Sequence, residues 1–142
     1  MSTEFVNFYV SGTPIPKGST KAFYIKKLNR VITTNANKET TGWESRVAYS
    51  AQKIQEEKDF YTTDKHVGYE IAITFSFNRP TSLPKKYNLK TTRPDLDKLA
   101  RAILDAVTRV LIPDDAQVIG ISCRKILSPT EGADITITKV VG

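Results

Sequence analysis

The chain has 142 residues, of which 39% are hydrophobic and 25% charged, the size and balance of one soluble globular domain rather than a disordered chain. Lys and Arg number 21 against 15 Asp and Glu, a net charge of +6, which suits a polyanionic partner such as nucleic acid or, second, an anionic membrane surface. No apolar run approaches the ~18 residues of a membrane span, and the opening MSTEFVNFYVSG lacks the basic-then-apolar layout of a signal peptide.

In chain order, residues 5–10 are apolar and β-rich and predict a strand. Residues 11–20 (SGTPIPKGST) hold two prolines and two glycines and predict a loop. Two short β-prone runs, 22–25 and 31–34, predict a hairpin turning through residues 26–30. Thr41 followed by Glu44 forms a capping-box pattern. Trp43, Val47, Ala51 and Ile54 then mark one face of an amphipathic helix that ends in the charged stretch 55–59. Trp43 belongs to that stripe, so packing explains it better than base stacking does.

Residues 69–77 alternate strictly: Tyr69, Ile71, Ile73, Phe75 and Phe77 on one side, Glu70, Ala72, Thr74 and Ser76 on the other. That predicts a strand with one buried face. Residues 78–92 are polar and basic, and Pro80 and Pro84 exclude regular structure there. A second helix is expected over 98–110, with Leu99, Ile103, Val107 and Val110 as its apolar stripe. Pro113 with Asp114 and Asp115 stops it. Residues 118–127 and 135–141 read as two closing strands. The expected class is α+β: one domain over residues 1–142, a mixed sheet with two amphipathic helices packed on one face.

Several chemistries are excluded. Cys123 is the only cysteine and His66 the only histidine, so no intrachain disulfide forms and no tetrahedral Cys/His zinc site closes. The expected compartment is a reducing cytoplasm. The Pro94–Asp95 pair imitates the opening of a PD-(D/E)xK nuclease, but neither Asp115-Ala116-Gln117 nor Asp134-Ile135-Thr136 supplies the acid-x-Lys that pattern needs.

The chemistry rests on Asp95, Asp97, Asp114 and Asp115. Pro94 biases the lead-in toward an extended conformation. There, the two-residue side-chain period turns Asp95 and Asp97 the same way, with Asp97 as the N-cap of the helix. Helix-terminal charge accounts for one aspartate, and a solvated turn after Pro113 is the ordinary meaning of Asp114–Asp115. Clustered carboxylates repel unless a cation joins them, and oxygen ligands of this kind suit Mg²⁺. Arg101, four residues after Asp97, either pairs with it or stabilises charge on a phosphate. Such a site on a basic protein makes a nuclease candidate, provided tertiary packing joins the two aspartate pairs.

Residues 94–118, PDLDKLARAILDAVTRVLIPDDAQV, resemble the RusA family of Holliday junction resolvases, common in bacteriophages and prophages. The family pattern is D-L-D-N-L, a helix carrying a basic residue, an Asp followed by a small residue, then D-D-x-Q-[VI]. The V-x-G-x-P-x-P-K-G of residues 10–18, the T-x-x-W-E of residues 40–44 and Lys125 also fit. The resemblance implies a bacterial cytoplasmic, phage- or prophage-encoded homodimer that cuts four-way DNA junctions with Mg²⁺, or Mn²⁺ in its place. Asp95, Asp97 and Asp115 match the family's metal-binding acids, and Asp114 the less critical neighbour. Arg101 stands where the family has an essential lysine, and Lys98 where Asn is common, so the resemblance leaves either Lys98 or Arg101 to supply the catalytic cation. Arg cannot release a proton at neutral pH, so phosphate clamping is the role open to it. Lys17, Lys85, Lys86, Lys90, Arg93 and Lys125 are candidate DNA phosphate contacts. Two other readings stay open: a non-catalytic nucleic-acid-binding module, and a nuclease for flaps or other branched DNA.

Overall fold

The computed structural model describes residues 4–17, 20–25, 30–35 and 38–142. A four-stranded mixed sheet is built from β1 (Phe5–Ser11), β4 (Gly68–Phe77), β5 (Val118–Leu127) and β6 (Gly132–Val140), in the order β1-β6-β4-β5. β6 runs antiparallel to both β1 and β4, whereas β5 runs parallel to β4. A separate antiparallel pair joins β2 (Thr20–Ile25) to β3 (Arg30–Asn35), as the expected hairpin requires. Its turn, residues 26–29, lies outside the described residues.

β4 is the keel of the sheet. Tyr69, Ile71, Ile73, Phe75 and Phe77 are buried, as the alternation predicts. They join Val6, Phe8 and Val10 of β1 and Ile135 and Ile137 of β6 in one apolar core. Helix α1 (Lys38–Lys58) adds Trp43, Val47 and Ala51 to it. Trp43 is core, so its ring is not offered to a base. α1 begins at Lys38, which puts Thr41 inside the helix instead of at its cap.

Helix α2 spans Leu96–Val107, two to three residues earlier at each end than its apolar stripe suggested. Its backbone closes when the Leu99 N–H donates to the Asp95 carbonyl at 3.1 Å, so Asp95 and not Asp97 is the N-cap. Leu99, Ile103 and Val107 are fully buried, each stabilising the fold by about 1.5–3 kcal/mol. That burial fixes the rotation of the helix about its axis. Asp97, Lys98, Arg101 and Asp105 are consequently exposed. Val110 lies beyond the helix and is only partly buried against the core.

A parallel pair needs a crossover connection, and α2 provides it between β4 and β5. The chain leaves the C-terminal end of β4, enters α2 there, and returns to the N-terminal end of β4 before starting β5. This topology positions every acid of interest. Among the described residues no helix is long and apolar enough to cross a membrane.

Candidate active site

The N-terminal end of α2 carries the first pair of acids. Asp95 has extended backbone angles, φ −69° and ψ 135°, and its side chain makes no capping hydrogen bond. An N-cap Asp ordinarily accepts from the N–H two or three residues on. Here the carboxylate is withheld from that duty. Its neighbour is the Lys98 ammonium, 3.7 Å away. Asp97 is the acid of the first helical turn. Since Asp97 is helical and Asp95 extended, the expected shared extended lead-in does not exist. Both side chains are nonetheless exposed at the same helix end.

Asp97 and Arg101 form no ion pair within 4.0 Å among the described residues; the ion pair on this turn is that of Lys98 with Asp95, at 3.7 Å. Arg101 is exposed one turn along the helix. Arg93 and Lys98 line a groove with Pro16, Pro94 and Asp95. The irregular segment 78–94 joins β4 to α2 and therefore lies at this end too. Lys85 and Lys86 are exposed on it. Lys90 donates to Thr92 Oγ1 at 2.8 Å and rests over the Phe77 ring.

The second pair of acids stands at the other end of α2. Asp114 caps a short 3-10 turn (Asp115–Gln117), its Oδ1 accepting from the Ala116 N–H at 2.9 Å. Asp115 is exposed in that turn. The two aspartates, adjacent in sequence, thus have different duties: the Asp114 side chain holds the turn, while the Asp115 side chain makes no capping bond.

A helix of twelve residues is about 18 Å long, and that length separates Asp95 from the end of α2 after which Asp115 follows. β5 gives a second ruler. It starts just after Asp115 and, seven residues beyond its first residue, Lys125 touches the loop before Asp95, a rise of about 23 Å. Among the described residues of one chain, no three His, Cys, Asp or Glu side chains gather where one metal ion would sit. The tertiary packing that would join the two aspartate pairs does not occur within a single chain. Asp95 and Asp97 still fit the oxygen-rich, exposed donors that Mg²⁺ prefers.

Besides Lys90, two further predicted phosphate contacts, Lys17 and Lys125, have internal partners. The Lys17 ammonium donates to Glu44 Oε1 at 2.9 Å and lies 3.1 Å from Asp105 Oδ2. The hydrogen bond to Glu44 raises its pKa, partly opposed by burial, so it stays charged at neutral pH. The Lys17 backbone N–H also donates to the Lys98 carbonyl at 3.0 Å. Lys17 therefore ties the proline-rich loop to both helices. Lys125 Nζ donates to the carbonyls of Thr92 and Pro94, each at 2.8 Å.

Asp105 was visible only as the Asp-small step of the sequence pattern. With Lys17, Arg109, Asp114 and Asp115 it lines a polar cavity of about 420 Å³. Only the helical spacing from the buried Ile103 and Val107 stripe hints that it is exposed.

This arrangement is one of acids and cations at both ends of an exposed helix face, on a basic chain. A model of the endodeoxyribonuclease RusA family matches residues 12–138. The chain belongs to the RusA endodeoxyribonuclease family. Membership makes it a nuclease of the class that acts on branched DNA, and the match takes in both aspartate pairs, Lys17 and Lys125. A search of curated proteins finds no match.

Proposed function

We propose that this RusA-family chain is a Mg²⁺-dependent endodeoxyribonuclease that resolves four-way junctions by paired, symmetric nicks, and that its active centres are completed between two copies. The observation that carries this reading is the separation of the acids. Asp95 and Asp97 lie at one end of β5 and Asp115 at the other, and β5 is one of the two edge strands of the sheet, with β1 at the far edge.

An outer strand with free N–H and C=O groups is a template for pairing. β5 is ten residues long, and its Ile119, Ile121 and Ile126 are exposed. Antiparallel pairing of two such strands about a two-fold axis sets the start of each against the end of the other. Asp115 of one copy then comes beside Asp95 and Asp97 of its partner, twice over. Two sites related by a two-fold suit a substrate with the same symmetry.

Mg²⁺ held there supplies a lowered pKa for water and stabilisation of the leaving oxygen. The protein's own groups have separable tasks. Asp95, Asp97 and Asp115 provide carboxylate oxygens. Lys98 offsets the charge of Asp95 before the cation arrives. Arg101 clamps a phosphate oxygen. Lys85, Lys86, Lys90 and Arg93 place DNA at the Asp95 end of the helix.

The test is a labelled synthetic four-way junction compared with a flap and a linear duplex under one salt condition. Cutting is expected on the junction with Mg²⁺, with none in EDTA. Junction affinity should fall steeply between 50 and 200 mM salt, by about 10³-fold if six phosphates are contacted. Equal cutting of all three substrates would remove the junction assignment. Binding without cutting would favour a non-catalytic module.

A further inference from the structure

We propose that Lys125 is a positioning residue for Asp95, acting through the backbone of the segment before α2 and not through DNA. The inference rests on the reading of Asp95 as a metal ligand. Lys125 pairs in register with Phe75, a fully buried residue of β4. In-register neighbours of a parallel pair project to the same face, so the lysine stem rises from the core side and is itself only partly exposed. Its ammonium donates to Thr92 O and to Pro94 O, both at 2.8 Å. These carbonyls bracket Arg93, and the second belongs to the peptide that leads into Asp95.

Asp95 needs such a support. Its carboxylate makes no capping hydrogen bond, so the helix does not fix the side chain. The preceding residues 78–94 contain no helix or strand. Lys125 is thus the tie from the rigid sheet to the last turn of that segment. Two charge-assisted bonds to carbonyls on either side of one residue hold a backbone more firmly than neutral ones. An ammonium engaged in this way has one N–H left, which makes it a poor phosphate contact.

Lys125→Met keeps the length and volume of the stem and removes the donors. Its half-saturating Mg²⁺ concentration for junction cutting is expected to rise at least tenfold. Junction affinity in EDTA, and the slope of log K against log salt, should stay as in the unaltered protein. Lys125→Arg can still donate to both carbonyls and should restore the Mg²⁺ requirement to within about threefold. A second readout does not depend on cutting: amide hydrogen exchange at Leu99, whose N–H donates to the Asp95 carbonyl, and over the turn that follows it, residues 99–101, is expected to accelerate at least tenfold in Lys125→Met, with residues 69–77 unchanged. Unchanged exchange over 99–101 overturns the proposal whether or not the protein cuts DNA. A salt slope reduced by about one, with an unaltered Mg²⁺ requirement, overturns it in favour of a phosphate contact. Should Lys125→Met not fold, Lys125→Arg decides by itself: a tenfold weaker Mg²⁺ response with normal folding contradicts the carbonyl tie. Accelerated exchange in a protein whose unaltered form never cuts would fail the nuclease reading and leave the tie standing.

Discussion

Replacing Asp95 by Asn should abolish junction cutting and leave junction binding within about twofold. The substitution changes one oxygen to an amide without altering size, so α2 and its entry keep their geometry. Nothing structural depends on the lost charge, because the side chain makes no capping hydrogen bond and its 3.7 Å pairing with Lys98 is exposed. Exposed pairs of that kind contribute about 0–1 kcal/mol. A cation that stabilises developing charge contributes several kcal/mol, so the loss in rate should reach about a thousandfold. Asp114→Asn is the contrasting case. Its Oδ1 accepts from the Ala116 N–H, and an Asn side-chain oxygen can accept the same bond. Cutting should then fall by less than about tenfold, and gel-based rates for the two variants check both statements. Equal losses would mean that capping, not metal binding, governs the acids.

A charge on the outer strand should be nearly as damaging, by a different route. Ile121 is 46% exposed on β5 and belongs neither to the buried core nor to the residues packed against it. Ile121→Glu leaves the core intact in one chain. In a two-fold interface it places two like charges against an apolar edge, at about 3 kcal/mol or more for each copy. Light scattering should report a fall from twice the 15.9 kDa chain mass to the chain mass itself. Cutting should disappear with the dimer, while the thermal midpoint stays close to that of the unaltered chain at low concentration. A variant that stays dimeric and active would move the interface elsewhere on the molecule.

The elements were readable where one periodicity ruled. The two-residue alternation of β4 and the buried stripe of α2 both come from a single face meeting a single core. The sequence alone puts the start of α2 two residues late, because Asp97 and Asp95 are both good cap residues. The choice between them is made by the Leu99 N–H meeting the Asp95 carbonyl, which composition does not reveal. Lys17 and Lys125 were visible as charges, yet their partners are Glu44, Asp105 and two loop carbonyls brought near by folding. A basic residue looks the same in sequence whether it faces phosphate or its own chain. The placement of Asp115 depended on one topological fact. Because β5 runs parallel to β4, the crossover must end at the opposite end of the sheet from where it began. The acids were therefore legible as a set, and their separation within one chain was not.

Mixing two inactive variants tests the shared centre most directly. Asp95→Asn and Asp115→Asn chains, unfolded and refolded together in equal amounts, should form mixed dimers in about half of the molecules. In a mixed dimer one centre receives both altered residues and the other receives neither. The mixture should therefore nick one strand of the four-way junction at roughly a quarter of the unaltered rate, although each variant alone is inactive. A mixture as silent as its two components, with mixed dimers demonstrated by mass, would contradict a centre built from two chains.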